Sequence, residues 1–134
     1  LGKLVFSNPE IRKRLEQITH PRILDEINKN VKAVKGKNPD AIIVVDAALL
    51  IEVGLYKKMD KVIVVYADEK TQIERMMKRD GFTMDEAKNR ISAQMPLQEK
   101  RKYADFVIEN VEGMGKEEVR EEVKRIFDRL KDKR

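Results

Sequence analysis

Asp60-Lys-Val-Ile-Val-Val-Tyr-Ala-Asp68-Glu-Lys-Thr-Gln72-Ile-Glu-Arg75-Met-Met-Lys-Arg79-Asp80-Gly81 sets the fold. Residues 62–65 are an unbroken β-branched run between charged neighbours, the pattern of a strand covered on both faces. Asp68 then supplies an N-cap, and Ile73, Met76 and Met77 recur at helical spacing, so the strand runs straight into a helix that Gly81 stops. Arg75 and Arg79, four apart, share a face of that helix, and Arg90 adds a third approach from the next one. A guanidinium stays charged at any working pH and grips phosphate oxygens through two parallel donors, which suits a polyphosphate. In a chain that is 40% charged, a solvated helix face is the favoured account of such arginines when they stand alone.

Working outward, residues 41–45 repeat the strand signature upstream and residues 104–108 downstream. Buried strands alternating with helical segments predict an α/β domain with a parallel sheet, its core strands near 41–46, 61–66 and 104–109. Residues 47–52, Ala-Ala-Leu-Leu-Ile-Glu, follow the first of these at its carboxyl end, where open α/β sheets place ligands. Thr83 and Glu86 form a capping box for a helix with Ala87, Ile91 and Met95 as its stripe, ended by Pro96. A short helix over 97–103 leads to the third strand, and a last helix after Gly115 turns Val119, Val123, Ile126, Phe127 and Leu130 inward. Near the N-terminus, Ser7 or Asn8 caps a helix that begins at Pro9 and carries Ile11, Leu15 and Ile18. Thr19-His20-Pro21 predicts a break, and a second helix carries Leu24, Ile27, Val31 and Val34 as far as Gly36.

The length of 134 residues suits one domain, and 41% apolar residues with 5% aromatics and no Trp predict an aliphatic core. No apolar run is long enough to span a bilayer and the N-terminus lacks a signal-peptide pattern, so a cytoplasmic protein without membrane attachment is expected. Absence of cysteine excludes disulfides, thiolate metal sites and a cysteine nucleophile, and His20 alone offers no imidazole set for zinc. A formal charge of +5 favours anionic partners, although few aromatics accompany the arginines, which argues against nucleic acid. One phosphate-loop candidate, Asn110-Val-Glu-Gly113-Met-Gly115-Lys116-Glu117, fails because Asn110 and Glu117 stand where Gly and Ser or Thr belong.

His20-Pro21, Asp46-Ala-Ala-Leu49-Leu50-Ile51-Glu52, Gln72-Ile-Glu-Arg75 with Arg79-Asp80, Asn89-Arg90-Ile91 with Gln94, and Ala104-Asp105-Phe-Val-Ile-Glu-Asn110 together resemble the dephospho-coenzyme A kinases, in order and spacing, over nearly the whole chain. The resemblance implies a three-layer parallel sheet of the P-loop kinase type, here without the family's first strand, phosphate loop and general-base Asp. The chain opens on Leu1, which reads as a start inside a longer sequence. The activity implied is transfer of the γ-phosphoryl of ATP, with Mg2+, to the ribose 3′-hydroxyl of dephospho-coenzyme A. Carried over residue by residue, Arg75 is the catalytic arginine, and Arg79 and Arg90 meet phosphate from a lid over about 75–100. Leu50 and its neighbours line the acceptor side, Asn110 borders the adenine, and no residue is assigned to metal. His20 reads either as a structural residue or as an acceptor contact, and Glu52 as a cap or a functional carboxylate. The expected partners are ATP and dephospho-coenzyme A, with self-association through open sheet edges, and these residues alone are expected to be inactive. The alternative is a non-catalytic basic module that binds a nucleotide or coenzyme A.

Overall fold

In chain order, the computed structural model, which describes residues 1–132, forms α1 (Gly2–Ser7), α2 (Pro9–Lys37), β1 (Ile63–Tyr66), α3 (Glu69–Asp80), α4 (Met84–Ser92), α5 (Leu97–Lys100), β2 (Phe106–Glu109) and α6 (Lys116–Asp132). Short 3₁₀ turns cover Leu55–Lys58 and Arg101–Tyr103. The chain divides into two compact units, Leu1–Ala48 and a second beginning at Leu49, where the composition predicted one domain.

In the first unit α1 packs on α2. Asn8, rather than Ser7, caps α2: its Oδ1 accepts from the N–H groups of Glu10 at 3.1 Å and Ile11 at 3.3 Å. Ser7 is occupied in closing α1, where its hydroxyl donates to the Lys3 carbonyl at 2.6 Å. The predicted break at Pro21 does not occur, and α2 runs through it as one helix of 29 residues. Proline removes one N–H and crowds one turn, a cost of ~3 kcal/mol, and the uninterrupted ladders on either side hold the helix across that point. No residue of α2 is fully buried.

The strand expected at 41–46 is also absent: residues 41–47 are in neither helix nor strand, and Val44 is 79% exposed. A strand buried on both faces needs neighbours to take its backbone donors and acceptors. None pairs with this run among the described residues, where the sheet is β1 beside β2.

The second unit is α/β. Its strands are parallel, with Ile63 opposite Phe106, Val64 opposite Val107, Val65 opposite Ile108 and Tyr66 opposite Glu109. Parallel neighbours need a long crossover, here α3, α4 and α5. Alternation sends Val62 and Val64 to one face, where with Ile51 they form the core cluster, flanked by Leu50, Tyr56, Met59, Met95 and Ala104. On the other face α6 lies along β2, with Ile108 and Ile126 buried, whereas Ile63 and Val65 of β1 stay exposed. Among the described residues no helix is long and apolar enough to cross a membrane.

Candidate anion site at the strand ends

The backbone brings two segments together where the parallel strands end. The Asn110 N–H donates to the Tyr66 carbonyl at 2.8 Å, which extends the ladder one step past Glu109. From Tyr66 the chain turns through Ala67, and Asp68 caps α3 by accepting from the Thr71 N–H at 2.7 Å. That hydrogen bond, together with one from the Thr71 side chain, holds the Asp68 carboxyl below its ordinary range. Gln72 fastens the same corner, its amide donating to the Ala67 carbonyl at 2.9 Å.

Two turns into α3, Arg75 reaches back over this corner. Its Nη1 donates to the Asn110 carbonyl at 2.8 Å and its Nη2 to Asn110 Oδ1 at 3.4 Å. Arg79 is held elsewhere: Nε and Nη2 donate to the two carboxylate oxygens of Asp80 at 2.9 and 2.8 Å. The arginines one turn apart are therefore oriented by different oxygens and do not converge on one partner. The bonds from Arg79 are the main reason the Asp80 carboxyl lies below its usual range, and the positive charges of Arg79 and Arg90 add to the effect. Arg90, on α4, stacks over the Phe82 ring at 3.8 Å and has Nη1 3.5 Å from the Glu86 carbonyl. Stacking fixes the plane of the guanidinium.

The other predicted residues have different surroundings. Leu50 is partly buried and packs against the core cluster. His20 is half-buried on α2, in the first unit.

Sequence reading missed a polar cluster at the end of the arm formed by α3 and α4. Lys100 Nζ lies 3.2 Å from Glu52 Oε2 and 3.3 Å from Gln94 Oε1, and the Met95 N–H donates to the same Glu52 oxygen at 3.1 Å. Glu52 and Lys100 are far apart in sequence, and no local spacing rule links them. Arg101 was missed as well: it pairs with Glu109 at 3.0 Å and lies over the Tyr66 ring at 4.5 Å, bracing the strand ends.

A guanidinium matches phosphate oxygens in general, and of the three arginines Arg75 is the one held at the strand ends, by neutral oxygens. Among the described residues no group of three or more His, Asp or Glu is arranged to hold a metal.

The family model described as dephospho-CoA kinase matches residues 1–116. A dephospho-CoA kinase of Carboxydothermus hydrogenoformans is 44% identical over 131 residues, covering 98% of this chain and 62% of that protein. A dephospho-CoA kinase domain-containing protein of Danio rerio is 40% identical, covering 98% of this chain and 57% of that one. Among solved structures, TT1252 from Thermus thermophilus superposes with a TM-score of 0.71 at 30% identity, covering 96% of this chain and 64% of the other. The dephospho-CoA kinase from Campylobacter jejuni gives a TM-score of 0.62 at 32% identity, over 98% of this chain and 63% of that one. The chain thus spans less than two thirds of the length of these relatives. Matched over most of its length by sequence and by fold, the chain belongs to the dephospho-CoA kinase family.

Proposed function

We propose that this chain serves a cytoplasmic dephospho-CoA kinase, which transfers the γ-phosphoryl of ATP to the ribose 3′-hydroxyl of dephospho-CoA. The observation that carries the reading is Arg75, whose fork stands over the carboxyl ends of two parallel strands, the ligand edge of an open α/β sheet. In this role Arg75 meets the transferring phosphoryl group, where a fixed cation stabilises charge that develops in the transition state. Arg79 and Arg90 approach the phosphates from the α3–α4 arm, which acts as the lid and sheds water from the nucleotide. Asn110 borders the adenine. Leu50 shapes the acceptor wall, and His20 is assigned to the acceptor side. Magnesium, when present, neutralises phosphate oxygens as part of the bound nucleotide, and none of these residues is assigned to ligate it.

The 134 residues contain no phosphate loop of the Gly-x-x-x-x-Gly-Lys-Ser or Gly-x-x-x-x-Gly-Lys-Thr form. On their own they are expected to contact nucleotide without turning it over. A coupled ATP-turnover assay with dephospho-CoA tests this, and a normal kinase rate from these residues alone overturns the expectation of inactivity. Calorimetry with ATP, coenzyme A and single-stranded DNA across a salt series tests the ligand class. Binding of ATP or coenzyme A that weakens in Arg75→Ala supports the reading. Binding of DNA alone, with a steep salt slope, overturns it.

A further inference from the structure

Among the described residues Lys100 is the one buried ionisable side chain, 6% exposed, and the α3–α4 arm has so far given it no task. We propose that Lys100 and Glu52 are positioning residues that anchor the root of α4 and so set where Arg90 stands. The geometry is continuous. α4 ends at Ser92, and Gln94 N–H carries the turn onward to the Ile91 carbonyl at 3.1 Å. The next N–H, that of Met95, is taken by Glu52 Oε2, which is held in turn by the Lys100 ammonium. That ammonium also reaches the Gln94 side chain, so Lys100 holds Gln94 directly and Met95 through Glu52. Met95 packs against the core cluster, which ties the anchor to the sheet.

Burial is what makes the arrangement stiff. With its side chain 8% exposed, the Lys100 ammonium has little bulk water as an alternative partner, whereas the Glu52 side chain, 20% exposed, keeps some. Removing Glu52 takes the carboxylate away from a buried ammonium, which is more disruptive than losing a surface pair. At its other end α3 and α4 meet at Gly81, an exposed glycine with φ +69°, followed by the Thr83 and Glu86 capping box.

The consequence for phosphate rests on the function proposed above, and the test separates the two. In the 134-residue chain, exchange of the Met95 amide is followed by NMR in wild type, Glu52→Ala, Glu52→Gln and Lys100→Met. Arg90 Nε is followed during titration with inorganic pyrophosphate. Exchange at Met95 is expected to accelerate about tenfold or more in Glu52→Ala and Lys100→Met, with Val64 and Ile108 amides unchanged. Glu52→Gln, which keeps an acceptor oxygen, is expected to restore most of the protection. Pyrophosphate affinity in Lys100→Met is expected to fall by about threefold to tenfold as Arg90 loses its fixed position. Unchanged Met95 exchange in both disruptive variants overturns the proposal. Acceleration spread equally over the sheet amides also overturns it, because that is the mark of general destabilisation. If pyrophosphate leaves Arg90 unmoved in wild type, the phosphate role of Arg90 falls, and the exchange comparison decides the anchor by itself.

Discussion

Asn110 receives both terminal nitrogens of Arg75, one on its carbonyl oxygen at 2.8 Å and one on its amide oxygen at 3.4 Å. The guanidinium is thereby held where β1 and β2 end, its terminal nitrogens engaged by neutral oxygens rather than by a carboxylate. A cation held this way keeps its full charge for an incoming anion.

Replacement of Arg75 should separate charge from shape. Arg75→Ala is expected to weaken pyrophosphate or ATP binding by about tenfold to a hundredfold, the loss of one charge-assisted fork. Arg75→Lys keeps the charge without the planar fork, and is expected to behave nearer to Ala than to wild type. Calorimetric titration of the three proteins checks this, and a Lys variant that binds as wild type does sinks the geometric argument. Asn110→Ala keeps the 2.8 Å carbonyl contact and is expected to cost less than Arg75→Ala.

Acid should loosen both ends of α3. Asp68 and Asp80 both have carboxyls held below the ordinary range, the first by the Thr71 hydrogen bonds and the second by those from Arg79. A folded-state value below the unfolded one means that the stabilisation is complete above about pH 4 and fades as pH falls through the folded values. Urea midpoints between neutral pH and pH 2.5 measure this. Asp68→Asn retains a cap oxygen, so it is expected to match wild type near pH 7 and to show a shallower fall in acid. Equal acid slopes in the two proteins contradict the assignment.

The sheet offers an internal control on where the core sits. Ile108 is 5% exposed on the face that α6 covers, whereas Ile63, on the same face of the neighbouring strand, is 40% exposed. Ile108→Ala is expected to cost ~2–5 kcal/mol through lost burial and a residual cavity. The same change at Ile63 should cost well under half as much, because much of that side chain already meets water. Chemical unfolding of both variants decides it, and comparable losses would place the core elsewhere.

Local chemistry made much of this legible in the sequence. The Asp68 cap, the Thr83 and Glu86 box and the stop at Gly81 each depend on residues a few positions apart, and each formed, whereas α4 ends at Ser92, short of the Met95 and Pro96 at which it was expected to end. The 41–46 run carried the same apolar pattern as 62–65 and formed no strand, because pattern reports what a segment can bury and not whether a neighbour is there to pair with it. The lysine that meets Glu52 could not be picked from the basic residues by spacing. Arg75 was found by its likeness to a family motif, but its oxygen partner, Asn110, came from the parallel register that sets the two strand ends side by side.

Pro21 gives the most direct test of helix α2. Helix geometry at this point leaves the Gln17 carbonyl without the N–H that any other residue at position 21 would donate. His20 must also stay helical in front of a proline ring, a conformation that ring disfavours. Pro21 is itself exposed, so removing the ring gives up little buried surface. Pro21→Ala is therefore expected to stabilise α2, by up to ~3 kcal/mol if the strain is fully relieved. Far-UV circular dichroism should show a stronger helical signal and a higher melting midpoint for that transition. A midpoint unchanged or lowered by the substitution would mean that the ring contributes packing which offsets the missing hydrogen bond, and that the helix does not merely tolerate Pro21 but depends on it.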